Sequence, residues 1–275
     1  MSGPLMPTLQ GINAIKFLTE SISGFWRLLQ RHWVTKTLKR LVAEKNLEPE
    51  QHTDEIKKLM SDQEWSFHEL LQIAAGSDLD MTRRQNSIRL LGELEVMRAV
   101  YPLAGMLLMK STHDVRLRSE AATALGKVRN QRSADALHEV LRDPEPRVTQ
   151  AALEALKNYV SNATHLRVVE CIAASKNENV QTRALELLLE IPSDQRDNKS
   201  IPVLKRRLLQ SSNSRLLELC IDALKSLGTE EARQALLKVS RRFSGGGPGR
   251  RFQSIEQYLA DVISKWEERH ASSRV

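Results

Sequence analysis

A repeating frame restricts this chain more than any other feature. From Leu117 to Arg142 the sequence reads LRSEAATALGKVRNQRSADALHEVLR. Leu117, Ala121, Ala124 and Leu125 recur at helical spacing up to Gly126, which reads as a stop. A polar link from Lys127 to Arg132 follows, then a second apolar set at Ala136, Leu137, Val140 and Leu141. Counted from Leu117, an apolar pair lies seven and eight residues on, and Leu137 lies twenty on. Val148 gives the same offsets at Ala155, Leu156 and Val168, and Leu216 gives them at Ala223, Leu224 and Leu236. Val180 gives Leu187 and Leu188, but a polar insert from Ser193 to Lys199 delays its second helix by four residues, to Leu204. A weaker copy at Arg83 gives Leu90, Leu91 and Leu103. Starts at 83, 117, 148, 180 and 216 set a period of 31 to 36 residues. One such helix pair cannot bury its own apolar stripes, so the copies must stack. The pattern predicts an all-α fold, an α-solenoid (α-α superhelix) of about five helical hairpins with divergent terminal helices.

The run VRLRSEAATALGKVRNQRSADALHEVL resembles a short HEAT repeat of the type also found in phycobilin lyases. PRVTQAALEALKNY and NVQTRALELLLEI are degenerate copies of it. The resemblance extends over residues 80 to 243. It implies an armadillo-type stack of HEAT-like hairpins whose second helices line a concave face. It implies no particular activity, because such repeats serve enzymes, adaptors and nucleic-acid binders alike.

The chain divides in sequence into four stretches. Residues 1–80 hold an N-terminal amphipathic helical region and a divergent first repeat, and residues 81–243 hold the HEAT-like repeats. A Gly-rich hinge, 244–250, contains SGGGPG, and a C-terminal helix takes up 251–275. In residues 12–42 the apolar side chains Ile15, Leu18, Ile22, Phe25, Leu29 and Trp33 step by three and four, and six basic residues face one acid from Lys16 to Arg40. Phe25, Trp26, Leu29 and Trp33 thus form a candidate docking helix for a partner groove or, as a lesser alternative, for peripheral contact with an anionic membrane. The plainer use of such a segment, and the leading one, is to cap the first repeat, since the ends of a solenoid must be covered. Further along, Thr82 with Gln85 reads as a capping box, Asp143 before Pro144 as a helix start, and Gly228-Thr229 as a stop followed by a cap. On the final helix, Phe252, Ile255, Tyr258, Leu259, Val262 and Trp266 share one face that suits either a C-terminal cap or docking elsewhere.

The formal charge of +7 is not spread evenly. Between Lys205 and Arg251 eleven basic residues oppose four acidic ones. Arg206 and Lys238 each fall two residues after a framed leucine, Leu204 and Leu236, so they align on neighbouring second helices. With Lys205, Arg207, Arg241, Arg242, Arg250 and Arg251 they make a candidate partner-binding strip. Such a strip suits an acidic protein or the phosphates of a nucleic acid, and a solvated helix surface has the same composition. Cys171 and Cys220 sit in apolar helical runs, which predicts buried free thiols and a reducing compartment, with the cytoplasm as default.

Catalytic constellations fail on spacing. HEAT-repeat metal-dependent hydroxylases carry four His-Glu pairs on first helices, whereas only His68-Glu69 and His138-Glu139 occur here, the latter on a second helix. There is no Cys-x-x-Cys, no His-Glu-x-x-His, and no Gly-Lys-Ser/Thr after Gly245-Gly246-Gly247. No cofactor and no metal are expected, and no enzyme activity. The reading that remains is a non-catalytic protein-protein interaction scaffold or adaptor, holding a partner on its concave face or through a terminal helix. The alternative is nucleic-acid or other polyanion binding through the basic C-terminal strip.

Overall fold

The computed structural model of the chain describes residues 29–59, 63–109, 114–243 and 250–271, and every regular element among them is helical. Side-chain oxygens start six of these helices by accepting a backbone N–H left over in the first turn. Asp80, Asp114, Asn130, Ser161, Asn177 and Asn213 all act in this way. Two starts differ from the sequence expectation. Asp80 rather than Thr82 accepts from Arg83 N–H, because the helix begins at Met81. Pro146 rather than Pro144 occupies a first-turn position, with Asp143 bonded to Glu145 N–H just outside the helix.

The chain forms two compact units, Met1–Ala99 and Val100–Val275. The first contains helix α1, described over residues 29–42, then α2 (Thr53–Leu59), α3 (Gln63–Ala75) and α4 (Met81–Glu93). Its core joins Val34, Leu38 and Leu41 of α1, Leu70 of α3, and Ile88 and Leu91 of α4. Asn86 of α4 donates to the carbonyls of Val42 and Glu44, and Arg89 donates to that of Leu47. These bonds fix the non-helical chain that leaves α1, whose peptide groups would otherwise lack partners.

The second unit contains α5 (Val100–Leu108), α6 (Val115–Lys127), α7 (Gln131–Glu139), α8 (Pro146–Leu156), α9 (Asn162–Ala174), α10 (Glu178–Glu190), α11 (Ser200–Gln210), α12 (Ser214–Leu227), α13 (Glu230–Phe243) and α14 (Arg250–Ala271). Helices α6, α8, α10 and α12 pack in succession as one layer. Helices α5 and α7 pack together in the second layer, as do α9, α11 and α13 in turn, and a 3₁₀ turn at Val140–Arg142 extends α7 against α9. This is an α-solenoid of stacked hairpins. The framed positions are its core: Leu117, Val148, Val180 and Leu216 are all buried, as are Leu137, Val168, Leu204 and Leu236. Helix α14 closes this unit by laying Ile255, Leu259, Val262 and Trp266 against α12 and α13. Tyr258 adds a hydrogen bond of 2.5 Å from its hydroxyl to Asp222, and burial together with that carboxylate pushes the phenol up to about 12.

One polar device recurs that the apolar frame does not reveal. In four of the five copies the residue one place after the frame start reaches back to a carbonyl at or just beyond the end of the preceding second helix. Arg84 Nε donates to Ala74 O, Arg118 Nε to Leu107 O, Thr149 Oγ1 to Asp143 O and Gln181 Nε2 to Ser175 O. Arg118 also forms an ion pair with Asp143, both side chains being almost fully buried. The carbonyls served are those a helix C-terminus leaves unpaired. The fifth copy has Leu217 at this place.

Candidate interaction surface

Second helices of the last two hairpins carry the cations singled out in the sequence. Helix α11 has no acidic residue, and α13 has none after Glu231. Lys205 is half-buried, while Arg206, Lys238 and Arg241 are exposed, on two helices that pack against each other. Among the described residues none of these four makes an ion pair. Several other cations in these repeats are committed. Arg233 pairs with Glu230, Arg215 with Glu186, Lys199 with Asp197, and Lys157 with both Glu154 and Glu190. Arg207 points elsewhere than Arg206. Its guanidinium donates to the carbonyls of Ile172, Ala173 and Ser175, so it caps α9 and serves the fold. The side chains of Arg242, Arg250 and Arg251 and residues 244–249 of the hinge lie outside the described residues.

Of the N-terminal docking residues, Phe25 and Trp26 lie outside the described residues. Leu29 and Trp33 are 45% and 39% exposed. The face of α1 that packs is instead Val34, Leu38 and Leu41, turned away from the Leu29–Trp33 line. Lys58 Nζ sits 5.8 Å from the centre of the Trp33 ring, and Arg31 lies over Trp65, whose indole N–H donates to Thr35.

An open polar hollow between α7 and α9 is lined by Asp135, His138, Glu139, Arg142 and Arg167. Arg142 and Arg167 converge on one oxygen of Glu170, and they pull its carboxyl below the usual range against a desolvation that would raise it. His138 Nε2 lies 3.2 Å from Thr164 Oγ1, which itself donates to Tyr159 O. The imidazole must therefore be the donor, leaving Nδ1 as the bare nitrogen. Burial, and then the Arg167 charge, hold its pKa below the usual value. Balanced charges line this hollow, with no nucleophile–base pair among them. Cys171 and Cys220 are buried, and burial pushes both thiols up to about 12, so neither is a nucleophile. No group of three or more His, Cys, Asp or Glu side chains among the described residues could hold a metal ion. No described helix is long and apolar enough to cross a membrane.

Within this stack of two-helix units, residues 68–157 match the family model for HEAT repeats. That match covers about a third of the chain. Among solved structures, Kap121p bound to Nup53p superposes with a TM-score of 0.51 at 14% identity, over 88% of this chain and 31% of that one. An engineered protein superposes at 0.45 with 18% identity, over 72% of this chain and 98% of its own. The CpcE–CpcF phycocyanin lyase complex from Nostoc sp. does so at 0.38 with 14% identity, over 84% and 93% of the two chains. At such identities the likeness is one of fold. Nothing in it singles out the phycobilin-lyase type of repeat. No curated protein matches the sequence.

What the sequence reading missed on this surface is which cations the fold consumes. A polar residue directly after a frame start (Arg84, Arg118, Thr149, Gln181) is the signal that could have flagged inward use. Arg207 carries no such mark.

Proposed function

We propose that this chain is a non-catalytic interaction scaffold of HEAT repeats that holds a partner protein against its second helices. Lys205, Arg206, Lys238 and Arg241 would face an acidic segment of that partner. The observation that carries this reading is that these four residues gather on two packed second helices with no ion pair, among the described residues, while Arg233, Arg215, Lys199 and Arg207 nearby are matched to carboxylates or a helix end. Unmatched surface cations retain their full field for an incoming anion. The apolar side chains of Leu209 and Leu237 lie half-buried among them, as an anchored protein interface requires and a phosphate track does not. Kap121p, a HEAT-like fold, is seen bound to Nup53p, which supports a protein partner here. The cytoplasm is the compartment assigned by the same reading, from the two reduced, buried thiols.

The test is an affinity capture from native lysate, washed at rising salt, with one arm treated with nuclease and one using the Arg206→Glu/Lys238→Glu variant. A defined protein kept through high salt and nuclease, and lost with the variant, is the expected result. Material lost with nuclease, or released in steep proportion to salt, would instead assign the four cations to nucleic-acid phosphates.

A further inference from the structure

Helix α5 reads VYPLAGMLL and carries no charged side chain. Its inner face, with Val100, Leu103, Met106 and Leu107, is buried. An amphipathic surface helix should then turn polar residues outward. This one does not. Its outward line is Tyr101, Ala104, Gly105, Leu108 and then Met109, with Tyr101 63% and Met109 56% exposed. The centre of this line is low: a Cβ built on Gly105 meets nothing within 4 Å. Bulky side chains stand at both ends, separated by about 12 Å at the helical rise. At one edge Arg132, exposed on α7, places its Cζ 4.7 Å from the centre of the Tyr101 ring. Arg132 makes no ion pair among the described residues. The nearest carboxylate on its own helix, Asp135, is engaged by the amide of Gln131.

We propose that this face of α5, edged by Arg132, docks an amphipathic helix of a partner protein that brings apolar residues to the notch and a carboxylate to Arg132. A low apolar centre between two bulky ends fits a helix laid by its apolar face, with anchors at i, i+3/i+4 and i+7. Tyr, Met and Arg are the residue types that concentrate binding energy at protein interfaces. The unmatched guanidinium, already stacked on Tyr101, sets the sign of the complementary charge. The proposal rests on the scaffold reading but not on the cations of α11 and α13.

The probe is a display library of helical peptides, about 16 residues long, with apolar residues fixed at i, i+4 and i+7 and the remaining positions varied. Selection on the full chain should enrich peptides with Asp or Glu flanking the apolar line. Arg132→Glu should weaken them by about tenfold or more, and a Glu→Lys change in the peptide should restore binding to that variant. Gly105→Gln points into open space, so it fills the notch without burdening the fold. It should weaken binding about as much while leaving the thermal midpoint unchanged or raised. No enrichment, or peptides that bind the Gly105→Gln and Arg132→Glu variants as tightly as the parent, would overturn the proposal. A Tyr101-dependent dimer in sedimentation would overturn it too, assigning the face to a second copy. If Arg206→Glu/Lys238→Glu removes the selected peptides, they sit on α11 and α13. The scaffold reading then survives and this site does not.

Discussion

Two glycines show how one residue type serves opposite ends. Gly228 has φ +67°, caps α12 in the left-handed conformation and ends the helix, as its place before Thr229 suggests. Gly126 also reads as a stop, yet α6 runs on to Lys127. Its carbonyl accepts from Asn158, that of Leu125 accepts from the Tyr159 hydroxyl, and the two donors follow α8. A Cβ on Gly126 would lie 2.7 Å from Ala155 Cβ and 3.0 Å from Ala155 Cα. The glycine is there so that α6 and α8 can approach each other. Gly126→Ala should therefore destabilise the chain by about 1–3 kcal/mol in urea denaturation, despite the higher helix propensity of alanine. Adding Ala155→Gly should recover part of the loss. An unchanged midpoint for the single variant would mean that the two helices part at no cost.

At the scale of elements, the helices and their apolar faces were legible because burial forces a period on the sequence. Leu117, Leu137, Leu216 and Leu236 needed no knowledge of neighbours to be placed. The joints between hairpins were not legible, because each depends on a carbonyl that sequence does not mark. Arg118 reads as one more surface cation in LRSE, yet it is 2% exposed and bonded to Leu107 O and Asp143. The insert from Ser193 to Lys199 reads as a polar loop, yet Arg196 ties it to Leu189 of α10, to Ile191 just after that helix and to Ser226 of α12. The candidate surface was half legible for the same reason: charge counting finds Arg206 and Arg207 alike, and only the fold separates them. Arg118→Met should cost about 3–5 kcal/mol, because it strands the buried Asp143 carboxylate. Arg118→Met with Asp143→Leu should cost less than the single change, since no unpaired charge then remains. A double variant as unstable as the single one would place the energy in the Leu107 cap and not in the ion pair.

For the whole molecule, the buried His165 and the half-buried His138 shape how stability answers to acid. His165 is fully buried on α9, and Asp197 N–H donates to its Nε2 at 3.5 Å. The ring proton must then sit on Nδ1, a buried N–H with no hydrogen-bond partner. Charging the ring would add a second N–H where an acceptor is required, next to Arg196. Burial, and less so Arg196, accordingly hold the His165 pKa below its usual value against the pull of Asp197, and burial does the same for His138. The folded state thus takes up fewer protons than the unfolded chain once the pH falls to about 6.5, the ordinary histidine value. Stability from these two groups is complete above that value and declines as the pH drops toward their folded values. Glu170 and Asp197 are held low by Arg142 and Arg167 and by the backbone N–H of Lys199, so their contribution persists until the carboxylate range and then falls in the same direction. Urea midpoints should therefore decrease from pH 7.5 to pH 5.5, and His165→Gln should flatten that interval. A wild-type midpoint that holds steady across it would show that both rings accept a proton in the folded state as readily as in the unfolded one.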